Sequence, residues 1–166
     1  MPSRHSDNDK RRLHPAPAPV VLRTLAARVT YRGISKHKAA PVRFGLPPYT
    51  GPRGDESLCD GHASVEPEDM PDVRMWLVRG IGAGLIGNVE RAGIPTIVWT
   101  VSDRGWIFEA RVTNVGQAEY HGYPVRPTEA IAAMVIARFR QWAWAGGSEA
   151  DRRAAENCRA LYRITR

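Results

Sequence analysis

The chain has 166 residues, a net charge of +7 at pH 7 and an apolar content of 43%, which suits one folded domain with a core. No run of eighteen apolar residues is present, and the polar first ten residues lack the apolar run of a secretory signal. The two cysteines, Cys59 and Cys158, are too few for a disulfide framework. We therefore expect a cytoplasmic protein that does not contact a membrane.

The basic residues are concentrated in one part of the chain, and all but three of the 24 are arginine. Seven basic and no acidic residues lie between Val20 and Gly54, whereas seven acidic and no basic residues lie between Asp55 and Asp72. Two interpretations remain open: the basic block pairs with the acidic block inside the fold, or it faces a polyanion or an acidic protein partner.

The first part of the chain is irregular in its pattern. Residues 1–19 predict a disordered tail, because polar residues lead into alternating proline and alanine, which favour extended chain. The β-branched residues between Val20 and Tyr31 predict one or two strands. Frequent glycine and proline over residues 33–66 predict a long basic loop. We expect a single domain over residues 20–166.

The middle of the chain has the clearest periodicity. Apolar residues at helical spacing predict a helix over residues 71–90. Alternating apolar and polar residues over 95–101 and 106–113, joined by a turn, predict a β-hairpin. A third strand is predicted over 118–125, at an edge of the sheet because glycine and proline interrupt it.

Two helices are predicted at the end of the chain, over residues 127–144 and 148–163, the second with a capping box formed by Ser148 and Asp151. The predicted fold class is α+β: a three-stranded antiparallel meander packed against two or three helices, with an N-terminal strand and a long basic loop. The residues expected in its core are Ile97, Trp99, Phe108, Val112, Ile131, Val135 and Phe139.

Several groups of residues with familiar spacing have structural explanations. Residues 82–87 match G-x-G-x-x-G, but they follow a helical pattern rather than a strand, which favours a closely packed helix end over nucleotide binding. Cys59 and His62 have the spacing of two zinc ligands, but further ligands would have to come from distant residues, so we expect no metal and no cofactor. Glu109 and Glu119 lie on neighbouring predicted strands, where alternation places both toward solvent.

Two other segments concentrate groups with acid–base or anion-binding chemistry. Residues 31–38 place arginine, lysine and histidine beside a tyrosine, groups that bind phosphate and supply a base; a solvated basic loop is the alternative. His121 lies between Tyr120 and Tyr123, which suits stacking on a nucleobase or proton transfer; an edge strand packed by its aromatic rings is the alternative.

The order helix, three antiparallel strands, helix over residues 71–144 resembles the double-stranded-RNA-binding domain. Residues 106–113 are similar to the second strand of that family, and the alanine-rich residues 130–133 are similar to its second helix. The turn at 102–105 and the helix start at 126–129 differ from the loop and lysine cluster with which that family binds RNA. A strand, then a helix, then a three-stranded meander is also similar to small ribonuclease toxins of the RelE type.

These resemblances, together with the basic charge, predict a small nucleic-acid-binding protein, with RNA as the expected ligand. The residues predicted to bind nucleic acid are Arg32, Lys36, Lys38, Arg43, Arg104, Arg111, Tyr120, Tyr123 and Arg126. One alternative is a metal-independent ribonuclease of toxin type in which His37 and His121 act as the catalytic acid and base. Another is a protein–protein interaction domain without catalytic activity.

Overall fold

The computed structural model describes residues 10–54 and 57–163. The strands are β1 (Thr30–Tyr31), β2 (Glu90–Arg91), β3 (Ile94–Pro95), β4 (Ile97–Val101), β5 (Ile107–Asn114) and β6 (Glu119–Pro124). Four of them form a mixed sheet in the order β1-β6-β5-β4, and β2 pairs with β3 in a separate ladder. The sheet therefore differs from the predicted three-stranded antiparallel meander: β4, β5 and β6 pair antiparallel, but β1 pairs in parallel with β6 and makes the sheet mixed.

Helices cover both faces of the sheet. They are α1 (Pro19–Arg28), α2 (Cys59–Ala63), α3 (Val73–Gly82), α4 (Ile131–Gly146) and α5 (Glu149–Tyr162), with short 3-10 turns at Ser35–His37, Pro41–Phe44 and Pro67–Asp72. One core cluster joins β4 to α4 and α5, and a second joins the opposite face to α1 and α3. All five residues of β4 are buried, which explains its continuous apolar run. The predicted α+β class is confirmed.

The hairpin register differs from the one that the alternating pattern suggested. Trp99 pairs with Glu109 and Thr100 pairs with Phe108, so Trp99 shares a face with Glu109 rather than with Phe108. A shift of one residue exchanges the two faces of a strand. The predicted core residues are nevertheless buried, except for Val112, which is half-buried, because helices cover both sides of the sheet.

The prediction of strands between Val20 and Tyr31 is wrong for most of that segment. Residues 19–28 form α1, with Pro19 at its first turn, and only Thr30 and Tyr31 are extended. Leu25 of α1 is buried in the second core cluster. Packing of this apolar side against α3 outweighs the weak strand preference of the β-branched residues.

The predicted tail over residues 1–19 is also wrong for its described part, while residues 1–9 lie outside the described residues. Leu13 is buried in the first core cluster and forms an isolated bridge with Gly87. The side chain of Arg138 donates a hydrogen bond to the carbonyl oxygen of His14. We call residues 10–18 the N-terminal strap, because they lie across the end of α3 and reach the sheet.

The helix predicted over residues 71–90 is shorter in the structure and ends at Gly82. The chain then turns at Gly84, whose φ of +73° favours glycine, and the backbone of Leu85 bonds to that of Trp99. The glycine-rich segment is thus a packed helix end beside β4. The final helix and its Ser148–Asp151 capping box are confirmed. No helix within the described residues has both the length and the apolar character needed to cross a membrane.

The closest approach of helix and sheet backbones occurs at Gly80 in α3. A Cβ atom at this position would overlap the carbonyl oxygen of Trp99 and the side chain of Thr100. We therefore expect Gly80→Ala to lower the free energy of unfolding by about 1–3 kcal/mol, measured by denaturant titration. Gly82→Ala is the control, because a Cβ there would meet only Trp142, at an ordinary 3.7 Å. Equal stabilities for the two variants would contradict the close packing.

Candidate functional site

The candidate site lies on β6, beyond the end of the short strand β1. Thr30 and Tyr31 pair with Glu119 and Tyr120, and the last parallel contact is a hydrogen bond from the Arg32 amide to the Tyr120 carbonyl. Because β1 ends there, the following segment crosses the edge of β6 in irregular conformation. This crossing brings residues 31–38 into contact with residues 120–123 of β6.

His37 and His121 contact each other at this crossing and form what we call the histidine pair. Their ring centroids are 5.4 Å apart and their planes are within 7° of parallel. His37 ends the 3-10 turn of residues 35–37, and His121 is in the middle of β6. Two imidazoles from separate segments therefore form one surface, each only partly buried.

Two side chains of β5 define the environment of His121. The Thr113 hydroxyl lies 2.7 Å from His121 Nδ1 and forms a hydrogen bond with it. Arg111 is the residue directly opposite His121 in the β5–β6 ladder. Burial, and secondly the positive charge of Arg111, lower the pKa of His121 below its ordinary value of 6.5. His121 is therefore neutral at pH 7, the form in which an imidazole accepts a proton.

Removing the charge of Arg111 should raise the pKa of His121. In Arg111→Gln, we expect the His121 ring signals in an NMR titration to shift at a higher pH than in the unmodified protein, because only burial still disfavours the charged form. Arg104→Gln is the control, since Arg104 pairs with Asp69 in a different part of the fold. An unchanged His121 titration in Arg111→Gln would contradict the electrostatic coupling.

A buried carboxylate organises the residues beside the histidine pair. Glu109 is fully buried, and the expectation that it faces solvent is wrong. Its Oε1 accepts hydrogen bonds from Arg111 Nε at 3.0 Å and from the Tyr123 hydroxyl, and its Oε2 accepts one from Trp99 Nε1 at 3.0 Å. The β4–β5 register places Glu109 on the same face as Ile97, Trp99 and Val101 of β4. Hydrogen bonds from several donors there offset the loss of hydration of its carboxylate. Glu119 is only partly buried.

The N-terminal strap supplies a further partner of Glu109. Arg11 donates from Nε to Glu109 Oε2 at 2.8 Å and from Nη2 to Glu129 Oε1 at 2.9 Å. Glu129 also accepts a hydrogen bond from the backbone amide of Arg126, ahead of α4. Arg11 thus neutralises a carboxylate on β5 and a second one at the start of α4, and it fixes the strap to the site.

Tyr123 connects the buried carboxylate to the histidine pair. Its hydroxyl donates to Glu109, while its ring centroid is 5.2 Å from that of His37 and 5.8 Å from the Arg111 guanidinium carbon. Burial, followed by the negative charge of Glu109, raises the pKa of the Tyr123 hydroxyl. The phenol therefore stays protonated, and its ring supports His37 from one side.

The other residues predicted to bind nucleic acid are found in several places. Arg32 and Lys36 are exposed and lie in the same segment as His37. Arg43 forms a salt bridge with Glu66 at 2.7 Å, so the basic and acidic blocks are partly paired with each other. Arg104 lies in the β4–β5 turn and binds Asp69, and Arg126 donates from Nε to the Ser57 hydroxyl.

Two of the predicted contacts with nucleic acid are corrected by burial. Lys38 is only 1% exposed, with its ammonium nitrogen 5.1 Å from the centre of the Phe44 ring. Tyr120 is fully buried, and its hydroxyl donates to the Pro95 carbonyl. Neither side chain can reach a ligand at the surface. For Tyr120 the reason is the alternation along β6, which turns its side chain toward the core and that of His121 away from it.

The spaced pair Cys59 and His62 does not converge on a common point. The Cys59 thiol donates to the carbonyl oxygen of Gly122, and His62 Nδ1 accepts from the amide of Leu58. Over residues 10–54 and 57–163, no three histidine, cysteine or acidic side chains are grouped closely enough to hold a metal ion.

Sequence reasoning did not identify Arg11, Thr113 or Glu109 as parts of the site. The one available signal was at Glu109, an acidic residue between the apolar residues Phe108 and Ala110 of a predicted hairpin. A carboxylate in such a strand needs donors nearby if helices cover both faces. No family model, curated protein or solved structure matches this chain, so the function has to be inferred from the geometry and chemistry of the site.

Proposed function

We propose that this chain binds RNA and cleaves it without a metal ion, with His37 and His121 as the catalytic acid and base. The observation that carries the proposal is the histidine pair, with rings 5.4 Å apart, beside the cation Arg111. Cleavage by the ribose 2′-hydroxyl needs a base for that hydroxyl, an acid for the leaving 5′-oxygen and positive charge near the phosphate.

His121 is the general base in this mechanism. Burial and Arg111 keep its imidazole neutral at pH 7. The hydrogen bond between Nδ1 and the Thr113 hydroxyl fixes the ring. The mechanism uses the tautomer in which Nδ1–H donates to Thr113, because the lone pair of Nε2 then accepts the proton of the 2′-hydroxyl. Thr113 acts as a positioning residue, because it holds the His121 ring and touches no reacting atom.

His37 is the general acid. Two imidazolium rings at this distance would repel each other, so the pair favours one proton over two. The state with neutral His121 and protonated His37 is the one needed to start the reaction. Tyr123 packs against His37 and limits the movement of its ring.

Positive charge for the phosphate comes from β5, which pairs with the strand that carries His121, and from the segment that carries His37. Arg111 lies opposite His121 on β5, and a third of its side chain is exposed. Lys36 and Arg32 are exposed residues of the segment that carries His37. Cations at these positions stabilise the charge that develops on the phosphorane oxygens and attract the RNA backbone.

The direct test is incubation of the purified protein with a single-stranded RNA and with DNA of the same sequence, both in excess EDTA. We expect RNA fragments that end in a 2′,3′-cyclic phosphate and intact DNA, because deoxyribose lacks the attacking hydroxyl. Intact RNA would refute the catalytic proposal. Cleavage of both polymers would refute the mechanism, since attack by the 2′-hydroxyl cannot cut DNA.

Binding is measured separately from cleavage with an RNA in which every 2′-hydroxyl is methylated. We expect its affinity to fall steeply as the salt concentration rises, because bound cations are released from the phosphates. Tight binding that is insensitive to salt would contradict recognition through Arg111, Lys36 and Arg32. Binding of methylated RNA together with stability of ordinary RNA would leave an RNA-binding protein without catalysis.

A further inference from the structure

A lysine and a cysteine are buried together beneath the histidine pair. Lys38 is 1% exposed and Cys59 is 3% exposed. Lys38 and Cys59 line the same small cavity, and the positive charge of Lys38 opposes the rise that burial causes in the pKa of the Cys59 thiol. None of the carboxylates in the described residues forms a salt bridge with Lys38. A buried amino group without a carboxylate is unusual, since burial of a charge is costly without an ionic partner. The proposed RNA chemistry does not use either side chain.

These two residues also connect the segments that carry the histidines. Lys38 directly follows His37, and the Cys59 thiol donates a hydrogen bond to the carbonyl of Gly122, which directly follows His121. Asp60, next to Cys59 in α2, accepts hydrogen bonds from the amides of Ala39 and Ala40. Helix α2 therefore holds the Lys38 segment in place and keeps the amino group against the thiol.

The space around the pair admits a small oxidant. Lys38 and Cys59 line a cavity of about 30 Å³, together with Trp76 and Phe108. A volume of this size holds one or two atoms of the size of oxygen. Trp76 is 6% exposed, and its Nε1 is buried without a hydrogen-bond partner, so the wall of this cavity contains an unused donor.

We propose that Lys38 and Cys59 are a site of oxidative modification, at which dioxygen joins Nζ to Sγ through one bridging oxygen atom. The S–H bond and two N–H bonds of the ammonium break, and an S–O and an N–O bond form. The second oxygen atom leaves as water, and one proton is released. Dioxygen accepts four electrons, two from sulfur and two from nitrogen. Cysteine sulfur that has been oxidised to the sulfenic level is known to react with nearby nucleophiles, including nitrogen.

The cross-link changes the contacts that hold the two histidine segments. Oxidised Cys59 no longer has the S–H group that donates to the Gly122 carbonyl. The sulfur is instead joined covalently to the residue after His37. Modification therefore ties α2 to the His37 segment and releases its thiol bond to the His121 segment.

Cys158 provides an internal control for this chemistry. It is fully buried like Cys59, and burial raises the pKa of its thiol to about 12. Its pKa is affected by burial alone, with no lysine among the causes. Oxidation that depends only on a buried thiol would affect both cysteines, whereas the bridge is specific to Cys59.

The test compares intact masses of the full chain after purification under air and after purification under nitrogen. We expect the aerobic sample to gain one oxygen atom and lose two hydrogen atoms, and to recover the anaerobic mass after treatment with dithiothreitol. Digestion should give a reducible cross-linked peptide pair that contains Lys38 and Cys59. Cys158→Ser should keep the mass change, and Lys38→Met and Cys59→Ser should each lose it.

Three results would overturn the proposal. They are identical masses in the two samples, a gain of whole oxygen atoms on Cys59 without a cross-link, and a loss of two hydrogen atoms alone, which indicates a direct sulfur–nitrogen bond. None of these measurements uses RNA, so the outcome is independent of the proposed ribonuclease activity.

Discussion

His121→Ala should lower the rate of RNA cleavage at pH 7 by about 10²–10⁴-fold, the usual contribution of one group in general acid–base catalysis. The substitution removes the proposed base, while the cations that bind the phosphate remain. The affinity for 2′-methylated RNA should therefore change little. The measurement is the initial rate of cleavage of a fluorescently labelled RNA in EDTA, together with a binding titration of the methylated RNA.

His62→Ala is the matched control, because His62 is an exposed histidine of α2 whose Nδ1 binds the Leu58 amide. It should retain the rate of the unmodified protein. If His121→Ala cleaves as fast as His62→Ala, His121 is not the base. His37→Ala should show a comparable loss to His121→Ala, and combining the two substitutions should cost less than the product of the single losses, because both act in one step.

The pH dependence of cleavage follows from the protonation of His121. Its pKa lies below 6.5, and only the neutral ring accepts a proton, so the rate should rise as the pH increases through that lowered pKa. In Arg111→Gln this rise should move to a higher pH, in the same direction as the NMR titration. A rate that falls over the same acidic range as pH increases would reverse the assigned role.

Arg11→Ala should lower the free energy of unfolding by about 1–3 kcal/mol, the cost of removing one hydrogen-bond partner from a buried acceptor. Glu109 is fully buried, and Arg11 supplies one of its bonds at 2.8 Å as well as a bond to Glu129. Arg111, Trp99 and Tyr123 remain as donors to Glu109, so the carboxylate loses one of its two cationic partners and the hydrogen bond to its Oε2 from that partner. The measurement is a urea or guanidinium titration followed by circular dichroism.

Lys10→Ala is the control for the general loss of a positive charge, since Lys10 is the exposed neighbour of Arg11. It should change the stability by less than about 0.5 kcal/mol. The double variant Arg11→Met with Glu109→Gln should recover part of the loss, because it removes the buried charge as well as its partner. A stability of Arg11→Ala equal to that of Lys10→Ala would show that the strap does not stabilise the sheet.

The elements with strong periodicity were predictable from the sequence, and those determined by packing were not. The α4 stripe, the α5 capping box and the β4–β5 hairpin follow from local residues. Helix α1 did not, because Val20 and Val21 favour strands locally while Leu25 packs into the core as part of a helix. The sequence of the strap predicts a tail, because polar residues followed by proline and alanine give no sign that Arg11 and Leu13 are anchored in the fold.

The two halves of the candidate site were recognisable, but their contact was not. His37 stands out because arginine, lysine and tyrosine surround it in the sequence, and His121 stands out because it lies between two tyrosines. Their meeting depends on the parallel pairing of Thr30–Tyr31 with β6 and on the early end of that pairing. A strand of two residues leaves almost no pattern in a sequence, so neither the parallel pair nor the crossing it creates could be predicted.

The contacts of Arg11 join parts of the chain that the ribosome synthesises at very different times. Arg11 is made before its partners Glu109 and Glu129, which follow it by 98 and 118 residues. Ribosomes release the N-terminal part of a chain first, so Arg11 has neither of these partners until Glu109 and Glu129 have emerged. Contacts between such distant residues also slow folding. The strap is therefore made before the residues that fix Arg11, and a chain that stops before residue 109 lacks both the carboxylates that bind Arg11 and the strand that carries His121.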